Sequence, residues 1–466
     1  LAPGISGLYG AAKASAGDKA STSAIRMRCI RLSLTQAFCA TTLHKSRFCY
    51  TNWADNLLPE ECQEDWEVGP AMSKLSLTLA VLSVAMLVAF PLRAAQVKTA
   101  VLRIDRVVGP PISRLDAPPA DLGFAGGMLG NEDNRTTGAF TGMDYTLKTQ
   151  AVAPEQAGTA LDALKAEGIR LIAVIAEGDT LKALSDRAGP DVLLLNAGAR
   201  DETLRDADCR ANVLHVSPSR SMLSDSIVQF LMWKKWSRIL LIHGSHPEDK
   251  QLADTYRSSA AKFGAKIVEE REFVDTGGGR RTDTGHVMVQ KQIPVFTQDA
   301  EDYDVIIAAD EAGVFAPYLP YHTWDPRPVA GSAGLRPVSW HAAHESWGAT
   351  QFQRRFEKLT GRNMREEDYQ AWLAMRVIGE VVTRSGKADP ATVRAYALSA
   401  EFELAAFKGQ KLTFRPWNGQ LRQPILLTDG RVTVSVSPQD GYLHQHSPLD
   451  TLGIDAPETA CRAFGG

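Results

Sequence analysis

The stretch HAAHE sets His341, His344 and Glu345 within five residues. All three side-chain types ligate divalent metals, and a metal held by two imidazoles and a carboxylate activates water for hydrolysis. The spacing matches neither HExxH nor HxxEH, and a polar helix start before an aromatic residue accounts for it equally well. The stretch HGSHPED places His243 and His246 behind an apolar run, where a loop facing a cleft explains them. GGGRR offers backbone N–H groups that can cradle a phosphate, against the alternative of a surface loop. There is no GxSxG elbow, no GxGxxG behind a strand and no P-loop lysine. A metal-dependent enzyme using His341, His344 and Glu345 therefore stays as the reading from a second class.

Binding chemistry is better represented. Four segments combine small residues, hydroxyls and an arginine. DNRTTG carries Arg135, Thr136 and Thr137, and NAGAR carries Asn196. SPSR carries Ser219 and Arg220, and SAGLRPVSWH carries Arg336 and Trp340. Arginine pairs bidentately with carboxylates, and an indole offers a stacking face, so the set fits a planar anionic ligand. Trp340 and Trp347 as packing under a hinge is the competing reading. Asp310 and Glu311 close the run YDVIIAADE and could accept an ammonium instead.

These segments need elements to hold them. From Val97 the chain alternates short β-branched runs with helical patterns. VKTAVLRI, DYTLKTQAV, IRLIAVIA and DVLLLNAG read as strands. DLGFAGGMLGNEDN reads as a helix with Asp121 at its N-cap, ending at DNRTTG. PEQAGTALDALKAEG and GDTLKALSDRAG read as further helices. The rhythm restarts with NVLHVSPS and runs through SRILLIHG, AKIVEEREFV, YDVIIAADE and RPVAGSAG. Long helices follow, and then β-hairpins at KLTFRPWNGQLRQPILLT and DG. Two α/β units with mostly parallel sheets are expected, with sites beyond the strand C-termini.

Met72 opens a second pattern. Lys74, the apolar run Leu75–Phe90, Pro91 and Ala94-Ala95 have the order of a secretory signal peptide. The run is shorter than the ~20 residues that span a bilayer. Residues 1–71 hold four of the six cysteines at spacings of no metal pattern, and read as an extension outside the working protein. Cleavage near residue 95 leaves Cys209 and Cys461, which an oxidising compartment would pair, pinning the polar tail. A net charge of −3 argues against a nucleic-acid partner.

The lobe order resembles the type I periplasmic binding fold. NEDNRTTGAFTG, ANVLHVSPSRSML, YDVIIAADE, FRPWNGQLRQPILL and SPLDTLGIDAPETAC, taken in order, resemble the solute-binding family associated with pyrroloquinoline quinone (PQQ) dependent alcohol dehydrogenase systems. The resemblance runs from about Val97 to Cys461. It implies a periplasmic, monomeric, non-enzymatic receptor of an ABC-type system with PQQ as a possible ligand. Its partners would be a permease or a PQQ-dependent dehydrogenase. The other receptor reading is a small alcohol, aldehyde or amino acid. The expected lobes are 96–218 for the first part of lobe 1 and 219–334 for lobe 2. A helical return at 335–402, a β-hairpin segment of lobe 2 at 403–446 and a tail at 447–466 follow. The ligand set expected from opposite lips of the cleft is Arg135, Thr136, Thr137, Asn196, Ser219, Arg220, Asp310, Arg336 and Trp340.

Overall fold

The computed structural model describes residues 95–106, 117–276 and 288–464. The signal peptide expected at 72–95, apart from Ala95, the segment 1–71 and GGGRR lie outside the described residues.

Lobe 1 is built on five parallel strands. They are β1 (Ala95–Ile104), β2 (Met143–Val152), β3 (Leu171–Ile175), β4 (Leu193–Asn196) and β5 (Val213–His215), in the order β2-β1-β3-β4-β5. β3 and β4 are buried along their whole length, as strands covered on both faces must be. Val97 and Val101 face α1 (Phe124–Thr141) and α8 (Glu366–Ser385). Ala100, Leu102 and Ile104 face α2 (Ala157–Ala166) and α3 (Gly178–Ala188).

The helix α1 begins at Phe124 with Gly123, not Asp121, in the cap position, and DNRTTG lies inside it rather than after it. Its glycines explain the length. A Cβ on Gly126 would sit 1.8 Å from the Asp368 carbonyl oxygen, and one on Gly130 2.8 Å from the Met375 Cβ. The two helix backbones touch through these positions, and that contact outweighs the low helix propensity of glycine. Asp121 instead accepts from Arg362, 2.9 Å away.

Lobe 2 repeats the plan with β6 (Arg238–Gly244), β7 (Lys266–Phe273), β8 (Val305–Ala309) and β9 (Val329–Gly331), all parallel in the order β7-β6-β8-β9. The helices α4 (Arg220–Trp233) and α5 (Pro247–Phe263) cover one face, and α6 (Val289–Thr297) the other. β10 (Arg336–Val338), β14 (Ile425–Thr428) and β15 (Thr433–Ser437) form an antiparallel sheet whose Leu427 enters the lobe 2 core.

Two expected boundaries move. β10 pairs with β14 and so belongs to lobe 2, which puts the return to lobe 1 at Ser339 rather than at residue 335. The hairpin segment is shared between lobes. β11 (Leu404–Ala405), β12 (Lys411–Phe414) and β13 (Leu421–Arg422) bury Leu404, Leu412, Phe414 and Leu421 in the lobe 1 core, beside α7 (Ala349–Thr360) and α9 (Pro390–Ala397). Only β14 and β15 join lobe 2. Pro424, which has no N–H for a ladder, sits where the strand is cut in two. The chain thus crosses between lobes at Val216–Ser219, at Ser339 and at Gln423–Pro424. Cys209 and Cys461 form a disulfide with Cα atoms 5.6 Å apart.

Candidate functional site: the cleft between the lobes

In open parallel sheets the ligand crevice lies outside the strand C-termini, where the strand order reverses. In lobe 1 that point lies between β1 and β3, and in lobe 2 between β6 and β8. The segments that come together there are 197–202 after β4, 217–221 at the first crossing, 310–316 after β8 and the first turn of α8.

Arg220 is the central cation. It opens α4 and donates to both oxygens of Glu311 at 2.8–3.1 Å. Its other nitrogen lies 3.2 Å from Asp201 of lobe 1. Burial opposes its charge, but Glu311 and Asp201 outweigh burial and hold its pKa above the ordinary arginine value. Arg200 donates to Glu366 at 3.1 Å. Burial opposes its charge too, and the fields of Glu366, Glu311 and Glu367 overcome it. The second oxygen of Glu366 accepts from the Ser339 N–H at 2.6 Å and its hydroxyl at 2.9 Å. One carboxylate therefore joins the 197–202 loop to the second crossing.

Glu367 differs from its neighbours. It lies in the first turn of α8, where no salt bridge among the described residues engages it and Arg200 acts on it only through its field. Burial, then repulsion from Glu366, pushes its pKa up. Glu202 is also raised by burial, although Ser221 donates to it from both N–H and hydroxyl at 2.7 Å, across the first crossing.

The expected residues divide. Ser219 and Arg220 are in place, Ser219 capping α4 by accepting from the Met222 N–H at 3.3 Å. Asn196 stands at the correct sheet edge, but its side chain is occupied by Gly198, Ala199 and His215. Asp310 is likewise committed, accepting from the N–H groups of Val314, Phe315 and Ala316 at 2.7–2.8 Å. Arg336 opens β10, and no salt bridge among the described residues engages it.

The structure corrects two placements. Arg135, Thr136 and Thr137 lie near the C-terminus of α1, which runs antiparallel to the strands and so ends at their N-terminal edge, away from the cleft. Arg135 is exposed and pairs with Glu132, and both threonine hydroxyls bond back to their own helix. Trp340 is 1 % exposed, stacked on Tyr369 at 4.8 Å and edge-on to Phe352. It turns into the lobe 1 core and offers no face to the cleft. HAAHE does not converge either: His344 is buried against the Phe407 carbonyl, His341 accepts from the Ala343 N–H, and Glu345 is exposed. His243 bonds Glu270 and His246 bonds Asp275.

Sequence reading missed the acidic partners Asp201, Glu202, Glu366 and Glu367. Their signal was the dense charge of RDETLR and REEDYQ around helix starts, which reads as ordinary capping.

The crossings are held by buried polar side chains. Gln420 donates to the carbonyls of His215 and Ser217, and Gln423 to that of Val216. Arg205, its pKa pushed down to about 10 by burial, donates to Gln420 and the Ser217 carbonyl. Lys408 donates to Gln423 and the Pro424 carbonyl, and burial pushes its pKa down to about 7.

The fold is that of type I periplasmic binding proteins, as comparison with solved structures shows. The leucine-, isoleucine-, valine-, threonine- and alanine-binding protein of Brucella ovis, in a closed conformation, superposes with a TM-score of 0.58 at 14% identity, covering 72% of this chain and 89% of that one. An ABC-transporter substrate-binding protein from Sphaerobacter thermophilus gives 0.58 at 17% identity over 74% and 98%. An R. palustris ABC-transporter solute-binding protein in complex with benzoate gives 0.55 at 13% identity over 79% and 100%. No protein-family model and no curated protein sequence matches the chain.

Proposed function

We propose that the chain is an exported, non-enzymatic receptor that closes its two lobes on a small solute and presents it to an ABC-type permease. Two lobes joined by three crossings, with their strand C-termini facing each other, support hinge closure as the working motion. The solute class we infer is a small molecule bearing an ammonium group, such as an amino acid. The observation that carries this is the charge balance of the cleft. Arg200 and Arg220 are each already paired with carboxylates, whereas Glu367 makes no salt bridge among the described residues and feels Arg200 only through its field. A bound ammonium would supply that partner, and would pull the raised Glu367 pKa back down. The solved relatives named as amino-acid binders are consistent with this class.

PQQ is the second reading. It rests on the family resemblance of the motifs and on Arg336, a cation beside the second crossing that no salt bridge among the described residues engages. A tricarboxylate at the paired arginines would have to displace Asp201, Glu311 or Glu366 first. On this reading the partner would be a PQQ-dependent dehydrogenase, or a permease for the quinone. Native mass spectrometry of the exported protein tests both. A bound mass of an amino acid or other small amine supports the first reading, and a bound mass of PQQ replaces it by the second.

A further inference from the structure

The segment 447–461 touches both lobes. On the lobe 2 side, Leu452 packs with Met222 and Leu223 of α4 and Ile425 of β14. The Gly453 N–H donates to Asp225 at 2.7 Å, and Lys262 joins the Asp225 carboxylate to the Gly453 carbonyl, 2.9 Å from each. Gln229 donates to Thr451 at 2.9 Å. From lobe 1, Arg415 in the β12–β13 loop grips the same turn. It donates to Asp450 at 2.9 Å and to the carbonyls of Leu449 and Ile454 at 3.0 and 3.2 Å. Arg422 of β13 shares Asp450. Further on, Thr459 donates to the Arg205 carbonyl, Ala460 to Asp206, and Cys461 is bonded to Cys209, all in lobe 1.

We propose that 447–461 is a strap, a fourth connection between the lobes that limits how far the hinge opens. The disulfide makes it covalent. Between Gly453 and Cys461 eight residues could reach about 28 Å if fully extended. Here they are drawn up in a turn, with the Glu458 N–H bonded to the Asp455 carbonyl at 3.0 Å. Opening beyond that slack must pull Gly453 from Asp225 or draw Leu452, fully buried, out of its cluster. Both steps are opposed by the loss of buried contacts, so the strap resists the open end of the motion and leaves the closed end free. A tail held at one end only would follow lobe 2 and offer no such resistance.

Amide hydrogen exchange on the ligand-free exported protein tests this without any knowledge of the ligand. The probes are the peptides holding Ser221, which bonds Glu202 across the first crossing, and Gly453. The internal control is α2, on the outer face of lobe 1. Oxidised wild type is compared with the Cys209→Ser/Cys461→Ser variant, and with folded wild type whose disulfide has been opened by a phosphine, in case the double variant does not fold. The strap predicts exchange at Ser221 and Gly453 faster by about tenfold in both, with α2 unchanged. Unchanged exchange at Ser221 overturns it, and so does uniform acceleration including α2, which would mark general loss of stability.

Discussion

The core of lobe 1 and the hinge are both closed to water, yet they are built from opposite chemistry. Around Trp340 the core stacks Tyr369, Phe352, Trp372 and Phe407, and its polar atoms are few. A few residues away the crossings bury Arg205, Arg415, Lys408, Gln420 and Gln423, each 1 % exposed or less. A core of rings gains from area and shape and tolerates no water. A hinge must let backbones rotate while keeping every buried carbonyl satisfied, and long amide and guanidinium side chains can follow such a rotation. The difference marks off an apolar core held by ring packing from crossings held by polar side chains.

The sharpest way to break that contrast is at the ion pair Arg415–Asp450, 2.9 Å long and buried on both sides. Arg415→Ala leaves Asp450 with Arg422 and the more distant His444, and should cost about 3–5 kcal/mol of stability in urea unfolding, as for other broken buried pairs. Trp340→Ala should cost a similar or slightly smaller amount, about 3–5 kcal/mol, by opening a cavity. Trp340→Phe should lose much less and leave ligand affinity unchanged within a factor of about two; an affinity loss of tenfold in a folded Trp340→Phe protein would mean the indole reaches the cleft after all. Gly126→Ala pushes α1 off α8 and should cost about 1–3 kcal/mol, read from the same unfolding curves.

The polar side of the contrast can also be read from the pH slope of Lys408. Its folded pKa of about 7 lies below that of an unfolded lysine, so the unfolded chain binds the extra proton between about pH 7 and 10. Stability therefore rises with pH across that window and is lost again as pH falls toward 7. Lys408→Met should flatten the slope and leave stability near pH 7 equal or higher. A slope that survives the substitution would assign it to another group.

These two regions were also unequally legible in the sequence. The β-branched runs and helical repeats of lobe 1 and lobe 2 place the parallel strands, because burial on both faces forces continuous apolar runs. The disulfide was readable from Cys209 and Cys461, the two cysteines that follow residue 95. The hinge was not, because Gln420, Gln423 and Lys408 have no periodicity, and Pro424 looks like an ordinary bend within a hairpin arm. Ser219 and Arg220 could be placed at the first crossing because a strand-to-helix turn at a sheet edge is a local signal. Arg135 was misplaced because the polar run DNRTTG reads as the end of the glycine-rich helix, whereas α1 continues through it to Thr141. Trp340 was misplaced because sequence shows that a residue is at a crossing and not which way it turns.

The central claim is that the cleft selects an ammonium through Glu367. Isothermal titration of the purified protein with the common amino acids, benzoate and PQQ tests it most directly, with Glu367→Gln beside wild type. The account predicts micromolar binding of at least one amino acid, weakened by tenfold or more in Glu367→Gln. Heat with PQQ or the aromatic acid alone, undiminished or strengthened in Glu367→Gln, would contradict it.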